Sequence, residues 1–123
     1  MQKSILIVED NELNMKLFND LLEAHGYKTV QTRSGVEALG LARQHKPDLI
    51  LMDINLPGID GMEATARLKR SDIAHIPIIA LTANAMRGDR EKIIAAGCNE
   101  YLQKPISNTV LCDTVERFIG RSE

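Results

Sequence analysis

The sequence predicts an α/β domain in three layers: a doubly wound parallel sheet of five strands with helices on both faces. Three observations carry this expectation. Apolar runs of strand length alternate with segments of helical period along the whole chain. Strands separated by helices need crossover connections, so neighbouring strands run parallel and the helices cover both faces. The distinctive polar residues all fall at strand ends: Glu9 and Asp10 after the first, Asp53 at the third, Thr82 at the fourth and Lys104 at the fifth.

Each element has its own signal. Ser4–Val8 is a continuous apolar run, as expected of a strand covered on both faces. Asn11 caps a helix running to about His25, with Leu13, Leu17, Leu21 and Met15, Phe18, Leu22 at helical spacing, and Gly26 stops it. Lys28–Thr32 is β-rich around Val30. Ser34-Gly35-Val36-Glu37 reads as a capping box opening a helix to about His45 that carries Val36, Leu39 and Leu41. Pro47 precedes the strand Leu49–Asp53, Pro57-Gly58 marks a loop, and Asp60 with Glu63 caps a helix to about Arg70. Pro77 introduces the strand Ile78–Leu81. A helix over about 87–96 ends at Gly97, and the short strand Glu100–Gln103 leads to Lys104-Pro105. Ser107 caps the last helix, whose apolar positions include Val110, Leu111, Val115 and Phe118.

Composition narrows the function. A chain of 123 residues fits one domain, 1–123, and 44% apolar residues suffice for a core. Lysines and arginines are scattered and the net charge is −2, so no basic footprint for nucleic acid is present. No apolar run approaches the roughly 20 residues needed to span a bilayer, and the first residues lack the pattern of a signal peptide. The protein is therefore expected in the cytoplasm. Cys98 and Cys112 lack metal or redox spacing and read as free thiols; His25, His45 and His75 stand apart, near turn signals, and read as surface residues.

The strand-end residues suggest phosphoryl chemistry. In an open sheet of this kind, ligands bind beyond the carboxyl ends of the strands, where strand order reverses. If the first and third strands are neighbours, Glu9, Asp10 and Asp53 crowd one edge. Like charges about 4 Å apart repel by roughly 4 kcal/mol per pair at an effective dielectric near 20, so a hard divalent cation or a lysine must offset them. Asp53 is the expected nucleophile, since a carboxylate can hold a phosphoryl group as an acyl phosphate. Such transfer needs positioning and charge neutralisation more than covalent help. Glu9 and Asp10 are expected to hold Mg²⁺, with Mn²⁺ able to substitute. Lys104 would pair with Asp53 and later with a phosphoryl oxygen, Thr82 would offer a hydroxyl donor, and the carbonyl of Asn55 could ligate the ion. Singly, each residue has a duller reading: Asp53 as a turn residue, Thr82 as an ordinary strand end, Lys104 as a solvated charge, Asn55 as a loop former. The set, spread over different strands, argues for a site.

These residues resemble the receiver domain of bacterial two-component response regulators. The match runs through Ile5-Leu6-Ile7-Val8-Glu9-Asp10-Asn11, Pro47–Gly61, Ile79-Ala80-Leu81-Thr82-Ala83 and Tyr101-Leu102-Gln103-Lys104-Pro105, covering essentially the whole chain. The resemblance implies the flavodoxin-like strand order 2-1-3-4-5. It implies phosphorylation of Asp53 by a phosphohistidine on a kinase or phosphotransfer protein. It also implies Mg²⁺ held by Glu9, Asp10, Asp53 and the backbone carbonyl of Asn55. Many receivers carry two aspartates where this chain has Glu9-Asp10; the longer Glu9 keeps the charge and is expected to reach the metal through water. Thr82 and Tyr101 match the family's switch pair, and the Lys104–Pro105 bond is cis in the family. The stretch Glu9–Tyr27 is similar to that of single-domain cell-division regulators within the family, which implies cell-cycle and polarity signalling served by membrane-bound kinases and phosphatases.

The chain ends soon after its fifth helix, so output is expected through phosphorylation-dependent binding of another protein. Met86, Arg87, Arg90, Tyr101 and Gln103 are candidates for that face, and Asn14, Met15 and Phe18 for kinase docking. Three rival readings stand beside this one. A turnover phosphatase with an aspartate nucleophile needs a second acid two residues on, and Asn55 is an amide that cannot protonate a leaving group. A flavin carrier of the same fold needs a phosphate cradle after the first strand, where Glu9-Asp10 would repel it. A phosphate sink or shuttle without its own output keeps the whole chemistry. The expectation is a phosphoryl acceptor with at most slow self-dephosphorylation, not an enzyme.

Overall fold

The computed structural model describes residues 2–55, 61–83 and 87–121, and of residues 87–89 the backbone alone. Along the chain run β1 (Ser4–Val8), α1 (Glu12–Ala24), β2 (Lys28–Thr32), α2 (Gly35–His45), β3 (Leu49–Asp53), α3 (Gly61–Lys69), β4 (Ile78–Thr82), α4 (Arg87–Ala96), β5 (Glu100–Gln103) and α5 (Asn108–Ile119). All five strands are parallel, in the order β2-β1-β3-β4-β5. The reversal of strand order lies at β1 and β3, and the register sets Val8 level with Met52 and Asp53 level with Leu81.

Alternation along the strands builds two cores. Leu6, Val8, Ile50, Met52, Ile78 and Ala80 meet α2, α3 and α4 through Ala38, Ala42, Ala64, Leu68 and Ile93. Ile5, Ile7, Leu49, Leu51, Ile79 and Leu81 meet α1 and α5 through Met15, Phe18, Leu22, Leu111 and Val115. Each fully buried Ile or Leu contributes about 1.5–3 kcal/mol relative to exposure. Every residue of the central strand β3 is buried, which explains its lack of polar alternation before Asp53.

The caps follow the sequence, with one change. Asn11 accepts from the backbone N–H of Asn14, and Ser107 from that of Val110. Ser34 accepts from the N–H of Val36, but Glu37 does not reach back to complete a capping box. Instead the N–H of Ser34 donates to Thr32 Oγ1 (3.2 Å), whose hydroxyl donates to Glu37 Oε2 (3.1 Å), so a buried threonine relays the bond. Gly26 (φ 89°) and Gly97 (φ 115°) stop α1 and α4 in a conformation that side chains other than glycine resist. The expected loop at Pro57-Gly58 and the cap at Asp60 lie outside the described residues, as does Met86; so do the side chain of Arg87 and its expected part in a recognition face.

Of the two apolar stripes on α1, one is buried. Met15, Phe18 and Leu22 enter the core, while Leu13 and Leu17 stay 66% and 55% exposed. Asn19 of the same helix reaches β2: its Oδ1 accepts from Thr29 Oγ1 (2.5 Å) and Gln31 Nε2 (2.7 Å). Met15 and Phe18 are therefore packing residues, which corrects their expected place on a docking face. The three histidines are exposed, as expected.

Candidate functional site

The carboxyl edge of the sheet gathers the strand-end residues. Glu9 follows β1, and its N–H pairs with Thr32 O (3.1 Å), continuing the ladder one residue past the strand. Ile54 N–H pairs with Leu81 O and Lys104 N–H with Thr82 O, so β3, β4 and β5 are likewise zipped past their last residues. This fixes the backbone from which each polar side chain projects. Carboxylate oxygens of Glu9, Asp10 and Asp53 lie within 4.8 Å of one another. Glu9 and Asp53 are 0% and 1% exposed; Asp10 is half-buried.

Lys104 stands among them. Its Nζ is 3.1 Å from Glu9 Oε2 and 3.3 Å from Asp53 Oδ2. The expected pairing with Asp53 is present, but the ammonium is shared and the distance to Glu9 is the shorter. Glu9 Oε1 also accepts the N–H of Asn11 (3.2 Å), and Asp53 Oδ1 accepts the N–H of Asn55 (2.9 Å). Asp53 is thus held from both sides, by an amide on one oxygen and an ammonium on the other. Burial and the neighbouring Asp53 charge push the Glu9 carboxyl above the usual carboxylate range, against the pull of Lys104.

Three carboxylates and one ammonium leave an excess of two negative charges when all are ionised. Each repulsion at 4.8 Å costs about 3.5 kcal/mol at an effective dielectric of about 20. The donors are all hard oxygens, the preference of Mg²⁺ and Mn²⁺ and not of thiolate- or imidazole-seeking metals. The donor set therefore fits a hard dication. Thr82 is buried at the end of β4, level with Gln103, and Tyr101 sits half-buried on β5. The guanidinium of Arg90 lies 5.6 Å from the centre of the Tyr101 ring, within reach of a cation–π contact. The Lys104–Pro105 bond is cis, as the resemblance implies.

Two residues near the site carried no assigned role in the sequence reading. Gly61 opens α3 against the backbone of β3: a Cβ there would stand 2.1 Å from Asp53 O and 2.6 Å from Ile54 Cα. Only glycine admits that approach, and its place eight residues after Asp53 was the available signal. Arg33, just past β2, donates to Asp10 O (3.0 Å) and Glu12 Oε1 (3.1 Å). A single arginine after a strand gives no such hint.

Known proteins resemble this chain in sequence and in fold. A family model described as the response regulator receiver domain matches residues 5–116. The polar-differentiation response regulator DivK of Brucella anthropi is 58% identical over 121 residues, covering 98% of each chain. The receiver domain of the sensor histidine kinase PA1611 from Pseudomonas aeruginosa, solved with a magnesium ion coordinated in its active-site cleft, is 40% identical at a TM-score of 0.90, covering 98% of this chain and 99% of that one. A receiver domain of Saccharomyces cerevisiae, from the response regulator Ssk1 in co-crystal with the histidine phosphotransfer protein Ypd1, is 28% identical at a TM-score of 0.89, covering 96% of this chain and 89% of that one.

Proposed function

The chain belongs to the response regulator receiver family, and from that premise we propose that it is a single-domain response regulator accepting a phosphoryl group on Asp53. The observation that carries this reading is the convergence of the Glu9, Asp10 and Asp53 carboxylates within 4.8 Å, with Lys104 bridging two of them. The donor is a phosphohistidine on a histidine kinase or phosphotransfer protein. With the other ring nitrogen of the phosphohistidine protonated, the P–N bond breaks as a bond forms from an Asp53 oxygen to phosphorus, the bonding pair stays on the ring nitrogen, and the imidazole leaves neutral.

Glu9, Asp10 and Asp53, with the carbonyl of Asn55, would hold the Mg²⁺. When bound, the dication neutralises charge on the phosphoryl oxygens. The protein's own residues do the positioning. Asn55 N–H and Lys104 fix the plane of the Asp53 carboxylate before reaction. Lys104 and the Thr82 hydroxyl then take up phosphoryl oxygens as the charge on Asp53 passes outward. Asn55 is no general acid, which supports a held acyl phosphate over turnover hydrolysis.

The signal leaves through the face of α4, β5 and α5. Phosphorylation adds about −1.5 to −2 charges at one strand edge. Thr82 moves toward the new group, and the Tyr101 ring turns inward and leaves the Arg90 guanidinium. The exposed Leu13 and Leu17 of α1 form the docking face for the donor, in place of the buried Met15 and Phe18. Likeness to a polar-differentiation regulator supports a role in cell-cycle and polarity control. Among the described residues no helix is long and apolar enough to cross a membrane, consistent with action in the cytoplasm beside membrane-bound or polar kinases. A phosphate sink shares all the site chemistry and lacks only the switch.

Incubation with acetyl phosphate or beryllofluoride and Mg²⁺ should modify wild type at Asp53 and leave Asp53→Asn unmodified. Label on another residue, or labelling that ignores Mg²⁺ removal, would refute the assignment. Tyr101→Ala should then lose phosphorylation-dependent partner binding. A sink would show no such binding in wild type.

A further inference from the structure

Of the three acids, Asp10 is the least constrained. Among the described residues no side chain or amide bonds its carboxylate, whereas Glu9 is held by Lys104 and Asn11 N–H, and Asp53 by Lys104 and Asn55 N–H. The aim of Asp10 is therefore set by its backbone. Among the described residues, one side chain from outside the loop grips that backbone. Arg33 Nη2 donates to Asp10 O (3.0 Å), and Arg33 Nη1 pairs with Glu12 Oε1 (3.1 Å) at the first residue of α1.

From this fork we infer that Arg33 is a positioning residue for cation binding, acting through Asp10. A planar guanidinium can serve two acceptors at once, and a lysine ammonium on a flexible stem holds such a pair less well. One prong fixes the Asp10 peptide; the other ties the same loop to the helix start, so β1–α1 is clamped to the residue after β2. The clamp spans 23 residues of sequence to Asp10 and 21 to Glu12, which makes it a tertiary restraint and not a turn.

The alternative, that Arg33 acts only as a nearby charge, predicts the opposite sign. A guanidinium beside the site repels a dication, so removing it would tighten binding. Its side chain is 63% exposed and paired with Glu12, so solvent and the partner carboxylate screen that repulsion. Loss of the clamp dominates, and binding weakens.

This inference rests on the cation-binding reading of the site, and one experiment separates the two. The full chain, ¹⁵N-labelled, is titrated with MgCl₂ alone, following the amides of Asn11 and Asn55. Wild type saturates. Arg33→Gln binds roughly threefold to tenfold more weakly, the loss of about one net hydrogen bond. Arg33→Lys keeps the charge and fails to restore wild-type affinity. Glu12→Ala, which removes the acceptor of one prong, weakens binding by a smaller factor and carries the test should Arg33→Gln not fold. Arg33→Gln binding as tightly as wild type, or more tightly, overturns the clamp, as does full rescue by lysine. A wild type that shows no saturable Mg²⁺ binding overturns the cation site and the clamp together.

Discussion

Replacing Asp53 by asparagine should stabilise the metal-free protein. Asp53 faces two carboxylates within 4.8 Å and one ammonium at 3.3 Å. At an effective dielectric of about 20, each repulsion costs about 3.5 kcal/mol and the attraction returns about 5, so the charge is a net burden of about 2 kcal/mol. Screening at half-buried Asp10 reduces that figure. The desolvation of Asp53 itself, 1% exposed, raises it again. Asparagine keeps an oxygen for the N–H of Asn55, so that bond survives. We expect Asp53→Asn to unfold in urea with about 1–2 kcal/mol more stability than wild type in EDTA. Mg²⁺ at ten times its dissociation constant stabilises wild type by about 1.4 kcal/mol and the variant far less, so the gap closes or reverses. Urea curves read by far-UV circular dichroism, in EDTA and in MgCl₂, give both numbers. An Asp53→Asn protein less stable than wild type in EDTA, or a gap that Mg²⁺ leaves untouched, would refute the charge-crowding argument.

Further outcomes are expected at three other residues. Gly61→Ala forces a Cβ into the Asp53 and Ile54 backbone and should cost about 2 kcal/mol or more, with slowed phosphorylation by acetyl phosphate, measured on the same sample. Lys69→Met strips a donor from Ala74 O, Ile76 O and Asn99 Oδ1 at once, and urea unfolding should show a loss of about 1–3 kcal/mol. Cys98 is buried with its Sγ 3.7 Å from Thr65 Oγ1, and burial pushes its thiol above the ordinary 9.0. It should react with Ellman's reagent far more slowly than half-buried Cys112 until the protein unfolds. Since the folded state keeps a proton the unfolded state loses, this contribution is full below pH 9.0 and falls as pH rises toward the folded value; stability in that alkaline range should decline less steeply in Cys98→Ala.

The strands and the site edge were legible because buried parallel strands leave an unmistakable mark. Leu49–Met52 has no polar residue until the sheet reaches its functional rim at Asp53, and the same holds from Ile5 to Glu9. Which face of α1 is buried was not legible. Leu13 and Leu17 are as apolar as Met15 and Phe18, and period alone cannot choose between stripes; the buried one shows only in contacts between elements, among them the bonds that Thr29 and Gln31 donate to Asn19 across 10 and 12 residues. The capping box failed for a related reason: Thr32, two residues before Ser34, offered Glu37 a better-placed partner than the Ser34 amide. The division of Lys104 between Glu9 and Asp53, and the reach of Arg33 to Asp10, depend on distances between strands that no spacing in sequence encodes.

The half-buried ring beneath Arg90 has a practical consequence. The chain has no tryptophan and two tyrosines. Tyr27 is 3% exposed and its hydroxyl donates to Gly120 O (2.7 Å), so its surroundings are fixed. Tyrosine emission from this protein is therefore a two-source signal, with one source buried and one half-buried. A change in phenol emission on adding beryllofluoride that Tyr101→Phe abolishes would belong to Tyr101, and would make that ring an optical gauge of β5 without a dye.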